Sequence, residues 1–471
     1  MKLNSSKSPS QGATLFFIGG LADIDLATNQ SLKNTIKYLS EFGYNAHYFG
    51  AFPAGYKILQ DPKKIFNERV VFHRSPHFLT PFFDGAKFLK DALGRPRKKE
   101  LQLNQLKAER KVRYTDEYNR IALLAYMGFF YIYLAIESFR VFYYTLKLKP
   151  DLFYGIAGPG NALATLFGKL FGKPAIHRWQ GSHGCMAEDV QRNKIRVFDK
   201  FILPDSSFSY WLPSDAVIMT NDGSGGDKNL RLLGIPPEKI HFLMNGLDLE
   251  DMTLPPNWDP EAFKRSLGLQ DKKILIMVSR LVLWKRVDRG IRCLAHLVNE
   301  LGLKDVVLLI LGEGQVKANL EVLARELGLA DHVRFAGAIP HNQVVQYYSI
   351  AEAFISLYDI SNIGNPLLEA MYCSLPIFTL DDGSADELLK DGQNAFLIPF
   401  QKLDKELPLK VKALLTDESL RLRIRENVKK TFHAKVLSWE DRMAVEDQII
   451  RKLLLSSKSP ALVPLAENVS K

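Results

Sequence analysis

Short apolar runs separated by longer amphipathic stretches recur along this chain, and their spacing predicts its architecture. In the second half, Ile274–Val278, Val306–Leu311, Val333–Ala336, Phe354–Leu357, Ile377–Thr379 and Phe396–Ile398 read as strands. Runs that are apolar at nearly every position belong to strands buried on both faces. Between them the period changes: Val287, Ile291, Leu294, Val298 and Leu301 share one face of a helix beginning after Lys285. Strands alternating with helices predict a parallel sheet, with ligands at the carboxyl ends of its strands. The first half opens the same way. Thr14–Gly20 is a strand ending in Gly19-Gly20, and a helix follows with Leu32, Ile36 and Leu39 on one face and a stop near Gly43. Leu152–Ala157, Pro174–Ile176 and Asp215–Met219 read as further strands. Glycines after a first strand either let the backbone approach a ligand or make a tight turn, and the pair alone does not choose.

At 471 residues the chain exceeds the size at which one core keeps growing, so two α/β domains are expected. The boundary falls near 247–260, where Pro255, Pro256 and Pro260 follow the turn signal Asn245-Gly246. The expected division is 1–250, 251–435, a helix over 436–455 and a disordered tail over 456–471. One stretch, 87–146, departs from the alternation. Residues 87–113 are basic (Arg95, Arg97, Lys98, Lys99, Lys107, Arg110, Lys111), and Ile121–Ile136 is uncharged and rich in aromatics. That run is shorter than the roughly 20 residues a helix needs to cross a bilayer. It reads as a core helix of the first domain. The basic segment beside it has a second use open to it, seating the protein on an anionic membrane.

Composition narrows the field. A hydrophobic content of 46% with 24% charged residues is ordinary for a folded protein. The net charge of +10 points to an anionic partner. No zinc-ligand spacing, RNP-type aromatic pair or recognition-helix signature supports nucleic acid in that role. Cys185, Cys293 and Cys373 are scattered and odd in number, which gives neither a disulfide framework nor a metal set. A cytoplasmic setting is expected, with a peripheral position at the inner face of a membrane as its variant. The opening residues, MKLNSSKSPSQGA, lack the apolar core of a signal peptide.

Candidate chemistry concentrates in two segments. In VSRLVLWKRVD (278–288), Arg280 and Lys285 follow a strand's carboxyl end. In DISNIGNPLLEAMYC (359–373), Asn365-Pro366 looks like a helix cap followed by the first helical residue. That placement would leave the amides of Leu367 and Leu368 free at the electropositive end of a helix, where anions bind. Glu369 falls one turn in. Two cations, a helix start and a nearby carboxylate suit a nucleoside diphosphate, whose ribose needs a hydroxyl acceptor.

These segments resemble the retaining glycosyltransferases of the GT-B fold, family four (glycosyl transferases group 1). The likeness is strong from about Val278 to Pro399 and weaker from Thr14 to Leu247. It is carried by SRLVLWK, LGEGQ, VRFAGAIPHNQV, NPLLEAMYCSLPIF and DGSADELLKDGQNAFLIP. The resemblance implies two doubly wound Rossmann-like domains facing across a cleft, with the last helix returning to the first domain. It implies a UDP- or GDP-linked sugar as donor, held by the second domain, and a glycan, lipid or other small acceptor on the first. Arg280 and Lys285 would neutralise the departing diphosphate, and Glu369 would take the ribose. Ile363, Gly364, Asn365 and Leu367 would line the donor sugar and phosphates, and Gly337–Ile339 would pack on the base. Neither a cofactor nor a metal is implied, and no Asp-x-Asp motif stands in a plausible site.

One position departs from the family pattern. A Glu usually stands eight residues before the counterpart of Glu369 and holds donor-sugar hydroxyls; here it is Ser361. Either Asp359 or Asn362 substitutes, or the sugar is held differently, or transfer is lost; retained activity is expected because the diphosphate features are intact. Family members often place a His after the strand at Pro174–Ile176. Here Gln180 stands at that place and His183 follows in HRWQGSHG, so His183 is the candidate. Asp222–Asp227 (DGSGGD) lacks the Lys-Ser/Thr ending of a phosphate-binding loop and reads as a connection. Two other functions stay in view, a GT-B protein that binds without catalysis and a sugar-nucleotide epimerase.

Overall fold

The computed structural model describes residues 12–19, 30–50, 66–74, 120–181, 209 and 211–457. Gly20, His183, the basic segment 87–113 and residues 458–471 lie outside them. The apolar runs of the first half become β1 (Thr14–Ile18), β2 (Asn45–Gly50), β3 (Val70–Arg74), β4 (Leu152–Ile156), β5 (Ala175–Trp179), β6 (Ala216–Thr220) and β7 (Ile240–Leu243). Those of the second half become β8 (Lys273–Val278), β9 (Val306–Leu311), β10 (Val333–Gly337), β11 (Ala353–Ser356), β12 (Ile377–Leu380) and β13 (Phe396–Ile398). Every pairing is parallel, in the orders 3-2-1-4-5-6-7 and 10-9-8-11-12-13. These are the two doubly wound Rossmann-like domains of the expected GT-B architecture.

Each sheet reverses its winding once, between β1 and β4 and between β8 and β11. Loops leaving adjacent strands there diverge to opposite faces, which opens a crevice at the carboxyl ends. Arg280 follows β8 and Ser361 follows β11, so both segments singled out in the sequence flank the second reversal. Strands β2, β3 and β7 escape the apolar-run criterion. They carry His47, His73 and His241, and β7 is an edge strand that is only half-buried.

The helix Trp439–Ser456 lies in the core of the first domain. Trp439, Met443, Ile450 and Leu454 pack with Leu15, Phe17, Tyr154 and Ile176. Within that core, Glu446 accepts hydrogen bonds from Arg178 Nη1 at 3.1 and 3.0 Å, and also from Arg442 and the Tyr154 hydroxyl. His177 and Arg178, beyond the strand end expected at Ile176, belong to β5. The strand β5 runs on through Trp179, and both side chains are buried, His177 against Thr165 Oγ1 at 2.7 Å.

The aromatic run is part of a longer helix, Arg120–Leu148. Its described side chains bury one face, where Leu134 and Val141 pack with Phe16, Phe153 and Phe167, while Ile132 within the run is exposed. Glu137, Val141 and Thr145 face inward, while Phe139 (77% exposed), Tyr143 and Leu146 face out. Leu166 and Leu170 on the neighbouring helix Ala157–Phe171 are exposed as well. Among the described residues no helix is long and apolar enough to cross a membrane.

Candidate functional site

A cleft of about 850 Å³ lies between the carboxyl ends of the two sheets. The first domain lines it with Gln30, Ser31, Gln180, Asp222 and Asn245, and the second with Arg280, Ile339, His341, Ile363, Gly364, Asn365 and Glu369. Two loops make its floor, and their mutual bonds explain their shape. The Tyr358 hydroxyl donates to Val278 O at 3.0 Å, and the Asp359 amide donates to Trp284 O at 3.0 Å. Below them, Arg286 pairs with Asp288 at 2.8 Å and Arg289 with Asp359 at 2.6 Å. The Arg289 pair, with Arg286 3.5 Å from the same carboxylate, ties the segment after β8 to the loop after β11. These contacts also occupy Asp359, and the Asn362 side chain is bonded to Tyr358 N and O. Neither residue is a cleft-lining substitute for the absent Glu.

The helix Asn365–Tyr372 starts one residue earlier than its sequence suggests. Gly364 is the cap, Asn365 the first helical residue and Pro366 the second. Leu367 and Leu368 consequently donate to Gly364 O at 3.0 and 3.3 Å, so their amides are not free, and Leu367 is buried in the core. The unused donors of the first turn belong to Gly364 and Asn365. The Asn365 side chain, released from capping, accepts from Asn245 at 2.8 Å and donates to Gln30 at 2.7 Å. Both partners belong to the first domain, so the helix start is itself a joint between domains.

The two cations differ in setting. Arg280 is exposed and lines the cleft. Lys285 is half-buried, with Nζ 3.6 Å from the Tyr358 ring centre and 4.3 Å from that of Trp284, and it is not among the cleft-lining residues. Burial pulls its pKa down to about 7, and the Arg280 charge adds to this while Asp222 opposes it. Lys285 thus stands near half-protonation at neutral pH.

Glu369 is buried, with Oε1 3.0 Å from His341 Nε2 and Oε2 accepting from the Tyr348 hydroxyl at 3.2 Å. His341 Nδ1 meets Asp251 at 2.7 Å. The Glu369 hydrogen bond, opposed by burial and reinforced by Asp251, lifts the His341 pKa to about 9, so the ring is cationic at neutral pH. A carboxylate accepts about four hydrogen bonds, so Glu369 is compatible with a ribose beside these partners. Ser361 sits at φ +65°, a left-handed conformation that side chains rarely adopt, and its hydroxyl donates to Asp222 Oδ2 at 2.9 Å.

Two further candidates, Gly19 and Gly337, are not among the residues lining the cleft. Gly19 ends β1, donates to Phe49 O at 2.7 Å and abuts Tyr48. Gly337 ends β10 and accepts from the Gly312 amide at 2.7 Å, leaving Ala338 and Ile339 to line the cleft. Sequence reasoning missed Gln30, Asp222, Asn245, Asp251 and His341 as site residues. Asn245-Gly246 carried only a turn signal, and DGSGGD was read as a connection. Among the described residues no group of three His, Cys, Asp or Glu side chains could hold a metal ion.

Comparison with known proteins bears on the same region. The family model described as "Glycosyl transferases group 1" matches residues 259–431. An uncharacterized glycosyltransferase of Methanocaldococcus jannaschii is 26% identical over 226 residues, 48% of this chain and 56% of that protein. The GDP-mannose-dependent alpha-(1-6)-phosphatidylinositol monomannoside mannosyltransferase of Mycolicibacterium smegmatis is 29% identical over 177 residues, 36% of this chain and 45% of that one. These matches span about half the length of the curated relatives. The crystal structure of Anabaena HepE in complex with UDP and glucose superposes with a TM-score of 0.60, covering 94% of this chain and 100% of HepE at 16% identity, a likeness of fold. Residues 259–431 thus match the glycosyl transferases group 1 model, and the two domains together make a GT-B fold.

Proposed function

We propose that this protein is a retaining glycosyltransferase that moves a sugar from a UDP- or GDP-linked donor to a glycan, lipid or other small acceptor. The observation that carries this reading is the position of Arg280 and the Gly364–Asn365 helix start on one cleft, at the winding reversal of the second sheet. Breaking the glycosidic bond puts negative charge on the leaving diphosphate, and preorganised donors at that spot lower the barrier. Ile339 and Val344 offer an apolar wall for the base, and Glu369 an acceptor for the ribose. Retention fits a front-face path in which a departing phosphate oxygen takes the acceptor's proton. Gln30, Ser31, Lys33 and Gln180 from the first domain would surround that acceptor. HepE was solved with UDP and the mycobacterial relative uses GDP-mannose, so both bases belong in the test. Incubation with a panel of UDP- and GDP-sugars is expected to release nucleoside diphosphate, slowly alone and faster with an acceptor. Tight diphosphate binding without any donor breakdown across the panel would assign the protein to the non-catalytic binders instead.

Diphosphate binding is expected to take up a proton above neutral pH. Anionic oxygens against Arg280 remove the repulsion that helps hold Lys285 down, so the bound state favours the ammonium. The free pKa is about 7. Affinity should therefore be level below pH 7 and fall above it, by up to about tenfold per pH unit. Calorimetry at pH 8 in buffers of different ionisation heat measures the uptake, and a value of zero would remove Lys285 from the site.

Acceptor and membrane meet in a second proposal. The exposed face Phe139–Tyr143–Leu146, next to Leu166 and Leu170, would seat the first domain on an anionic bilayer, with the basic residues of 87–113 as the electrostatic partner. Removing one buried ring is worth roughly 1.5–3 kcal/mol. Phe139→Ser with Leu146→Ser is thus expected to weaken co-sedimentation with phosphatidylglycerol vesicles at least tenfold. Unchanged sedimentation would leave this face without that role.

A further inference from the structure

We infer that Asp222, supplied by the first domain and held by Ser361 of the second, accepts hydrogen bonds from hydroxyls of the donor sugar; this rests on the donor site proposed above. The loop after β6 reaches across the domain boundary. The Ile363 amide donates to Asp222 O at 2.8 Å and the Ser361 hydroxyl to Asp222 Oδ2 at 2.9 Å. The other oxygen, Oδ1, accepts from the Ser224 amide at 3.0 Å and from the Ser224 hydroxyl. The carboxylate is thus clamped from both domains, only 9% exposed, and on the cleft wall.

The backbone around it is pared down to let it sit there. Gly223 has φ +83°, and a Cβ on it would lie 2.8 Å from the Ile363 amide nitrogen. A Cβ on Gly181, at the end of β5, would lie 2.2 Å from Asp222 Oδ2. Two side-chain-free positions and one left-handed serine converge on a single carboxylate. Among the described residues both carboxylate oxygens accept, Oδ1 from Ser224 and Oδ2 from Ser361. The Asp222 charge also reaches Lys285, whose pKa it raises against the lowering by burial and Arg280.

The position follows from the donor's own geometry. A diphosphate against Arg280 and the Gly364–Asn365 amides leaves its sugar pointing toward the first domain, where Asp222 stands beside Ile363. A fixed, desolvated carboxylate is a strong hydroxyl acceptor, and each such charged hydrogen bond is worth roughly 10- to 100-fold in binding. Because Asp222 and Ser361 come from different domains, the sugar is gripped only when the domains are docked. Donor recognition and domain closure are then one event.

The test compares nucleoside diphosphate with its sugar-bearing counterpart at pH 6, where Lys285 is charged. For Asp222→Asn, affinity for UDP and GDP is expected to stay within about twofold, while kcat/KM for the active sugar nucleotide falls roughly 10- to 100-fold. Ser361→Ala keeps the carboxylate but loosens it, and should show the same split at a few-fold. In Asp222→Ala, adding Ser361→Glu should return part of the loss, because it restores an acidic oxygen from the other side of the joint. A merely structural Asp222 would instead lower diphosphate affinity and turnover in proportion, with no recovery from Ser361→Glu. That pattern, or an unaltered kcat/KM in Asp222→Asn, would overturn the inference while leaving the donor site in place. Failure of the unaltered protein to bind any nucleoside diphosphate would remove the donor site itself.

Discussion

Arg280→Ala is expected to lower kcat/KM for sugar transfer by about 10²- to 10³-fold, the usual cost of removing one preorganised donor aimed at developing charge. Arg280 follows a strand whose neighbours on both sides are β9 and β11, so its backbone is held by the sheet. Its guanidinium is the cation on the cleft wall closest in sequence to that strand end. The ground-state diphosphate is already charged, so part of the loss will appear in binding. The larger part should appear in kcat, because charge rises on the leaving oxygens only as the bond breaks. Arg280→Lys should recover a fraction, since an ammonium keeps the charge and loses the planar fork. A drop in kcat/KM below fivefold, with diphosphate affinity unchanged, would place the leaving group elsewhere. The same substitution should also raise the Lys285 pKa, since the Arg280 charge helps to depress it.

The second large effect concerns stability. Glu446 is fully buried between Arg178 and Arg442, both also buried, with the Tyr154 hydroxyl as a further donor. Glu446→Ala would leave two guanidiniums in the core without their shared counter-ion. Breaking a buried ion cluster in this way costs about 3–5 kcal/mol. The loss should be read on the first domain, by hydrogen exchange in β4 and β5 or by its own thermal transition, because a two-domain chain has no single unfolding midpoint. Replacing the three charged residues together with apolar ones of similar size should recover most of it.

Acid should act through the same carboxylate. Burial pushes the Glu446 pKa up, and Arg442 and Arg178 outweigh it, leaving the group below its ordinary value of 4.5. A depressed folded pKa contributes stability above the unfolded value and loses it as pH falls through the folded one. The helix Trp439–Ser456 should therefore release from the first domain in acid, and Glu446→Gln should flatten that dependence. Equal stability of Glu446→Ala and the unaltered protein would show that the cluster contributes nothing.

Much of this molecule is legible residue by residue. Short apolar runs such as Val306–Leu311 read as strands covered on both faces, and the helical period after Lys285 supplies a crossover between them. From these alone come the parallel sheets and the ends of strands where a ligand must lie. Arg280 and the Asn365-Pro366 helix start were visible because each is local, a residue type in a short frame. The error of one position at the cap arose because Asn365 is a good cap in isolation, yet Gln30 and Asn245 bid for its amide and Gly364 takes the capping place. Exposure of Phe139 and Leu146 was hidden for a similar reason, since an apolar run reports how much hydrophobic surface exists and not whether anything covers it.

The chain by itself determined the two doubly wound domains, the Gly-poor apolar strands of the second one, and the cations that follow β8. It also showed that position 361 lacks a carboxylate. Only the tertiary structure decided where one comes from: Asp222 stands 139 residues away in the other domain, and reaches Ser361 across the cleft. Local pattern encodes backbone periodicity and burial, which act within a few residues. A hydrogen bond between domains depends on how two separately folded sheets are held against each other, and no short-range frame carries that distance.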